Sequence, residues 1–242
     1  MAMTISVIIP TLNEERKIMA TLAQTAALGF DELIVADGGS LDQTPLLVES
    51  YRLRTLYSRL SPVRLVPSPR GRAHQMNEGA QTSHGEILLF LHADTTLPDN
   101  AKALIETALA DQHTVGGRFN VRFDRTSMWG SIIGSMMNWR SRISGIATGD
   151  QALFVRRPIF EQMGGFADMP LMEDIDFSRR LKRKGAIVAL TATVTTSFRR
   201  WEQQGPLRTI LLMWTLRFLY WIGVSPHRLA HLYATVRETA RG

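Results

Sequence analysis

Asp94 is the residue whose position most calls for a chemical reason. It lies in EILLFLHADTTLPD, Glu86 to Asp99, just after the apolar run Ile87 to Leu91 has ended at His92-Ala93-Asp94. A short apolar run with sharp ends suits a strand buried on both faces. In open α/β sheets, ligands gather at the carboxyl ends of such strands. An acid there adds little packing, so it is either a turn aspartate bonding its own loop or a group that meets a ligand. Other polar stretches hold similar places. Arg70 and Arg72 follow a strand-like Val63 to Val66 in a Pro-rich loop, where they could meet phosphate. Asp37-Gly38-Gly39-Ser40 follows ELIVA, Gly149-Asp150-Gln151 precedes a strand-like Ala152 to Val155, and Glu173, Asp174 and Asp176 open a helix.

The elements that would position these residues follow from the pattern. Thr4 to Ile9 is a β-branched apolar run stopped by Pro10, and Glu32 to Ala36 is a second such run. Asn13 is expected to cap a helix with Glu14 and Glu15 in its first turn, with Ile18, Leu22 and Ala26 on one face. Strands that each end in a polar loop and open a helix imply a parallel sheet with right-handed crossovers. Helices are expected from Ala73, over Pro98 to Ala110 with Ala103, Leu104 and Ala108 inward, over 127–140, and from Met172 to Lys184. Val115 to Phe123 alternates apolar and polar residues, which suits a strand with one wet face.

A chain of 242 residues with 45% hydrophobic and 21% charged content suits one globular domain with a sizeable core. There is no cysteine, which excludes disulfides, thiolate metal sites and cysteine nucleophiles. The N-terminus enters SVIIP without a signal-peptide pattern, so a cytoplasmic protein is expected. Residues 1–120 carry 10 Lys+Arg against 13 Asp+Glu, whereas 121–242 carry 18 against 9, so the second half is strongly basic and suits an anionic partner. Leu207 to Val224 is the most apolar segment, short for a bilayer span and broken by Arg208 and Arg217, which lie on opposite sides of a helical wheel. In the last segment Leu229, Leu232, Tyr233, Val236 and Ala240 share a face, with His227, Arg228, His231, Arg237 and Arg241 around the rest. Such a basic amphipathic helix fits a membrane surface, its own domain or a homodimer.

Taken in order, SVIIPTLNEE, VADGGSLDQT, GRAHQMNEGA, FLHADTTLP, GDQALFVRR, LMEDIDFSRRL and FRRW resemble, over about residues 4–201, the family 2 glycosyltransferases of GT-A fold. They are most similar to a small bacterial subgroup with HAD in place of the DXD motif. The resemblance implies an α/β domain over 1–205, with a central, mostly parallel mixed sheet flanked by helices, and a helical tail over 206–242. It implies inverting transfer of a sugar from a nucleotide-diphosphate donor, expected to be a UDP-sugar, to a hydroxyl of a small-molecule or lipid-linked acceptor. Pro10, Thr11, Asn13 and Glu14 would border the nucleotide, Asp37 beside Gly38 would meet the base edge, and Arg72 would lie on the diphosphate. His92 replaces the first acid of DXD, a position that in relatives often contacts the ribose, with Ala93 following. Asp94 matches the metal-binding acid, suited to Mn2+ or Mg2+. Asp174 matches the base, with Glu173 beside it, and crowding with Asp176 would raise one of their pKa values. Gly149, Asp150 and Gln151 would line the acceptor side. Arg199, Arg200 and Trp201 resemble the QxxRW signature of processive relatives, with Thr196 and Ser197 preceding and no Gln.

Two other classes compete. The basic second half suits a nucleic-acid or anionic-surface module, but aromatics are not interleaved with the basic runs and no binding motif is present, so nucleic acid is not an expected partner. A sugar nucleotidyltransferase would carry a Gly-rich, basic loop after its first strand, where this chain has Pro10-Thr11-Leu12-Asn13-Glu14.

Overall fold

In the computed structural model, which describes residues 3–56, 58–125 and 127–238, the first strand β1 (Ile5–Thr11) is buried along its whole length. Successive strand side chains point to opposite faces. Accordingly Ile5, Val7 and Ile9 join one apolar cluster and Ile8 joins the other. The first cluster takes in Ile18 and Leu22 of α1 (Ile18–Ala26), Val48 of α2 (Thr44–Thr55) and Ile105 of α4 (Ala101–Ala108). The second takes in Ala73, Met76 and Ala80 of α3 (Arg72–Thr82). Helices therefore cover both faces of the sheet.

β2 (Glu32–Asp37) and β4 (Ile87–Phe90) flank β1 in parallel, and β3 (Val63–Pro67) extends the sheet beyond β2. On the other side the order continues β4, β7 (Leu153–Arg156), β6 (Thr114–Phe123), β8 (Ala186–Thr196), β5 (Thr95–Thr96). β7 and β5 run antiparallel to their neighbours, and the other described strands are parallel. This is the mixed, mostly parallel sheet expected. The remaining helices are α5 (Met128–Ser144), α6 (Arg157–Gln162), α7 (Glu173–Leu181), α8 (Arg199–Gln204), α9 (Pro206–Trp221) and α10 (Pro226–Glu238).

Several local expectations are corrected. Asn13 does not cap α1: it is left-handed (φ 57°), α1 starts at Ile18, and no acid lies in its first turn. Of the residues expected inward on α4, Leu104 and Ala108 pack against the core beside buried Ala101, Ile105 and Leu109, whereas Ala103 is exposed. β6 has no wet face over most of its length. Its Arg118 is only 2% exposed and donates to Phe119 O, Asn120 Oδ1 and Asn138 O beneath α5. β5 and β8 have no counterpart in the sequence reading.

These two strands matter for the site. After β4 the chain turns through His92–Asp94 and crosses to the far edge, where Thr95 pairs with Thr196 and the two hydroxyls meet at 3.0 Å. Asp94 is thereby pinned beside the end of β8. The tail packs on the domain: Leu216 of α9 and Leu229 of α10 cluster with Leu171 and Met172 just before α7. Val236 and Arg237 have no described side chains, and Ala240 and Arg241 lie outside the described residues. Among the described residues no helix is long and apolar enough to cross a membrane.

α7, which carries Glu173 and Asp174, is held by Phe177. That ring is fully buried and stacks on Phe166 at 4.3 Å, with Phe90 and Phe160 around it. Phe177→Ala should lower stability by about 3–5 kcal/mol and Phe177→Leu by less than about 1.5 kcal/mol in urea denaturation.

Candidate active site

The ends of β1 and β2 lie side by side, Thr11 opposite Asp37. Asp37 Oδ2 accepts from Gly39 N (3.0 Å) and Ser40 N (2.9 Å), and Oδ1 accepts from the Ser40 and Thr11 hydroxyls. Its acceptor sites are thus largely filled by its own loop. The left-handed Asn13 accepts from Leu41 N (2.8 Å) and donates its own N–H to Ser40 Oγ (2.9 Å), and Glu14 N donates to Thr44 Oγ1 (2.8 Å). The two loops are therefore stitched into one wall. Buried Gln75 of α3 closes the wall from behind, donating to Thr11 O and Ala36 O. A side chain at Gly38 would come within 2.9 Å of Gln75 Nε2, so the Gln75 amide would have to shift to admit one.

A chain of charged groups crosses the floor. Arg72, at the start of α3, meets Glu173 Oε1 through Nε at 3.2 Å and approaches His92 Nε2 through Nη1 at 3.5 Å. On the other side of the ring, His92 Nδ1 lies 3.1 Å from Asp150 Oδ1. Gly149 lies so close to His92 that a β-carbon would collide with its ring. Asp174 Oδ2 accepts from Gly149 N (2.9 Å) and Oδ1 from Ile175 N (2.7 Å), which fixes the carboxylate at the N-terminus of α7 over the Gly149–Gln151 turn. Glu173 is only 3% exposed. Burial pushes its carboxyl above the usual range, with Arg72 opposing and Asp174 adding a smaller push upward. The expected crowding reaches Glu173 through Asp174, while Asp176 is paired with Arg180 at 2.7 Å.

Asp94 stands where these groups converge. Burial raises its carboxyl first, with Asp150 adding to the rise and His92 and Arg199 opposing it. Glu14 is likewise raised, by burial and then by Asp94. Arg199, from the start of α8, lies 3.9 Å from Glu14. Among the described residues no three His, Asp or Glu side chains converge to hold a metal unaided. Magnesium-like ions are commonly held by one or two carboxylates together with substrate phosphates. A raised carboxyl beside Asp150 and Glu14, facing Arg72 across the site, fits a divalent cation shared with a diphosphate.

Beyond Asp94 and Asp150 opens a cavity of about 460 Å³. Its walls are Met136, Met137 and Arg140 of α5 and Ile210, Met213 and Arg217 of α9, with Trp201 at the side. Trp201 packs edge-on against Phe123 at 5.9 Å. Buried Nε and Nη2 of Arg140 and Nε of Arg217 have no hydrogen-bond partner among the described residues. Burial first and then Arg217 lower Arg140, with Asp174 opposing, to about 10.

The fold thus brings Glu14, Arg72, His92, Asp94, Asp150, Glu173, Asp174 and Arg199 to one edge. Pro10 and Thr11 are buried behind it, Ala93 points into the core, and Gln151 is fully buried, its amide donating to Ser141 Oγ. The Arg200 side chain lies outside the described residues. Sequence reasoning did not find Arg140 as a site residue, and it noted Arg217 only as a break in an apolar segment.

Because Asp94 is raised when folded, the native state binds more protons than the unfolded one, and stability falls as pH rises above the ordinary carboxylate range. Asp94→Asn should therefore be more stable than wild type at about pH 7, the gain disappearing as pH drops through that range. Urea denaturation at stepped pH checks both halves.

The family model for Glycosyl transferase family 2 matches residues 6–167, leaving Glu173, Asp174, Arg199 and the tail beyond its end. A relative, the probable glycosyltransferase YdaM of Bacillus subtilis (strain 168), is 26% identical over 216 residues, covering 83% of this chain and 50% of that protein. This chain therefore spans about half the length of that relative. Among solved structures, the mannosyltransferase PcManGT from Pyrobaculum calidifontis in complex with GDP-Man and Mn2+ superposes with a TM-score of 0.66 at 20% identity, over 98% of this chain and 70% of that one. S. aureus TarS 1-349 in complex with UDP-GlcNAc gives 0.63 at 22% identity, over 81% and 58%. These are GT-A glycosyltransferases, and with a match running from β1 through the Asp94 turn and the Gly149–Gln151 turn, the chain belongs to glycosyl transferase family 2.

Proposed function

We propose that this glycosyltransferase is inverting and metal-dependent, and that it moves a sugar from a UDP-sugar to a hydroxyl of its acceptor. The observation that carries the reading is the pairing of two differently placed acids across one edge. Asp94 faces the arginine side with a raised carboxyl, and Asp174 is held in place by Gly149 N and Ile175 N.

In this reading Pro10, Thr11, Asn13 and Glu14 border the nucleotide. Asp37 shapes the wall beside Gly38 and reaches a base edge only by releasing one of its loop donors. His92 presents its ring edge to the donor side while Arg72 and Asp150 fix its orientation. Arg72 compensates the negative charge that builds on the departing diphosphate. A divalent cation on Asp94 would supply Lewis-acid neutralisation of the same charge. Asp174 takes the proton of the acceptor hydroxyl as its oxygen bonds to the anomeric carbon and the bond to diphosphate breaks on the opposite face, inverting the configuration. Glu173 acts on Arg72, keeping that guanidinium in line. Gly149, Asp150, Arg199 and Trp201 flank the acceptor side, and Arg200 belongs to the same segment.

Peripheral contact with a lipid surface is part of the proposal. Met128, Ile132, Met136, Trp139 and Ile143 of α5 are exposed on one helical face, as are Leu207, Leu211, Trp214, Phe218 and Trp221 of α9. Exposed tryptophans on a basic half of the chain suit an anionic interface. A homodimer that covers these faces, with no vesicle binding, would replace it.

Calorimetric titration of UDP, GDP and CMP with and without Mn2+ tests the donor side. Metal-dependent binding of UDP that Asp94→Ala abolishes is expected, and no nucleotide binding by folded wild type would sink the assignment. Once a substrate pair is known, Asp174→Asn should reduce kcat by about 10²–10⁴-fold with donor binding retained. NMR of the first-formed product should show an inverted anomeric centre.

A further inference from the structure

Two cationic side chains inside an apolar cavity need an explanation. Leaving a charged group buried without a partner is costly, and such groups are ordinarily paired. Yet Arg140 and Arg217 come from different helices, both line the cavity, and both keep buried N–H groups without a partner among the described residues. Asp94 and Asp150 line the same cavity, so the guanidinium groups share it with acids of the site. Ile133, Met136, Met137, Ile210 and Met213 make much of the rest of the wall apolar, and its other polar groups are Asp94, Asp150 and the hydroxyls of Thr196, Ser197 and Thr209. Trp139 and Trp214 also line the cavity yet are 70% and 59% exposed, so they form its mouth. From there the exposed apolar faces of α5 and α9 continue outward.

We infer that the acceptor is an anionic amphiphile: a phosphate or carboxylate group seated between Arg140 and Arg217, joined to an apolar body that fills the methionine-lined cavity and leaves between Trp139 and Trp214. The identification of this molecule as the acceptor rests on the transferase reading above, whereas the binding site itself does not. An anion satisfies the orphan donors with charge-assisted bonds, which are stronger than neutral ones. The apolar body accounts for a wall that a sugar or a free phosphate would leave unused. Anion and hydroxyl belong to one molecule, so the guanidinium pair also sets how far the reacting oxygen stands from Asp174.

The test uses decyl phosphate below its self-association concentration, with inorganic phosphate and 1-decanol as comparators, read by tryptophan fluorescence. Wild type should bind decyl phosphate saturably, and at least tenfold more tightly than either comparator. In Arg140→Met/Arg217→Met, decyl phosphate should lose at least tenfold while 1-decanol binds as well as before or better. Arg217→Lys, which keeps the charge, should fall between the two and covers the case in which the double variant does not fold. Equal binding of decyl phosphate by wild type and by the charge-removed variant overturns the inference. So does inorganic phosphate binding as tightly as decyl phosphate. UDP titration of wild type runs in parallel. Arginine-dependent decyl phosphate binding without UDP binding would retain the amphiphile site and remove the transferase role, and the reverse result would do the opposite.

Discussion

Arg72 stands among acids that could not share one sheet edge without it. Glu173 touches it, and Asp174, Asp150 and Asp94 all act on it at longer range, so it is held firmly cationic, above even its usual range. Through it α3, α7, the turn after β4 and the Gly149–Gln151 turn are tied electrostatically. Glu173 is tolerated in a buried place because this guanidinium opposes the cost of burial. His92 is held between Arg72 and Asp150. In the proposed reading the same cation faces the place where diphosphate charge would develop, so one residue would serve both folding and catalysis.

The site divides into a polar floor and an apolar roof. The floor comes from loops at the carboxyl ends of parallel strands, where backbone hydrogen bonds such as Gly149 N to Asp174 orient the carboxylates. The roof comes from α5 and α9, which place methionine and tryptophan side chains over the acids. Excluding water strengthens every charge interaction below, which is also why Asp94, Glu14 and Glu173 are all raised by burial first. A carboxylate held in that condition is destabilising in the folded chain, and binding of a cation relieves it. Strain of this kind at a binding site is a common exchange of stability for function.

The sequence by itself determined the local parts. Ile5 to Ile9 and Ile87 to Leu91 are apolar runs that can only be buried strands, and Asp94 and Asp37 are polar residues placed just past such runs. The order of motifs along the chain determined the family and the fold, because each is read from neighbouring residues. Only the tertiary structure decided what lies across from them. Thr195 and Thr196 meet Thr96 and Thr95 about a hundred positions away, so β5, a two-residue strand, carries too short a pattern to read. Arg118 looked like a solvent-facing residue of an alternating strand, and became buried because α5 covers that face. Arg217 looked like an interruption in an apolar helix, and it became half of a guanidinium pair because α9 and α5 line the same cavity. Pairing between distant segments is set by packing and charge compensation over the whole molecule, and those quantities are not written in any local window of residues.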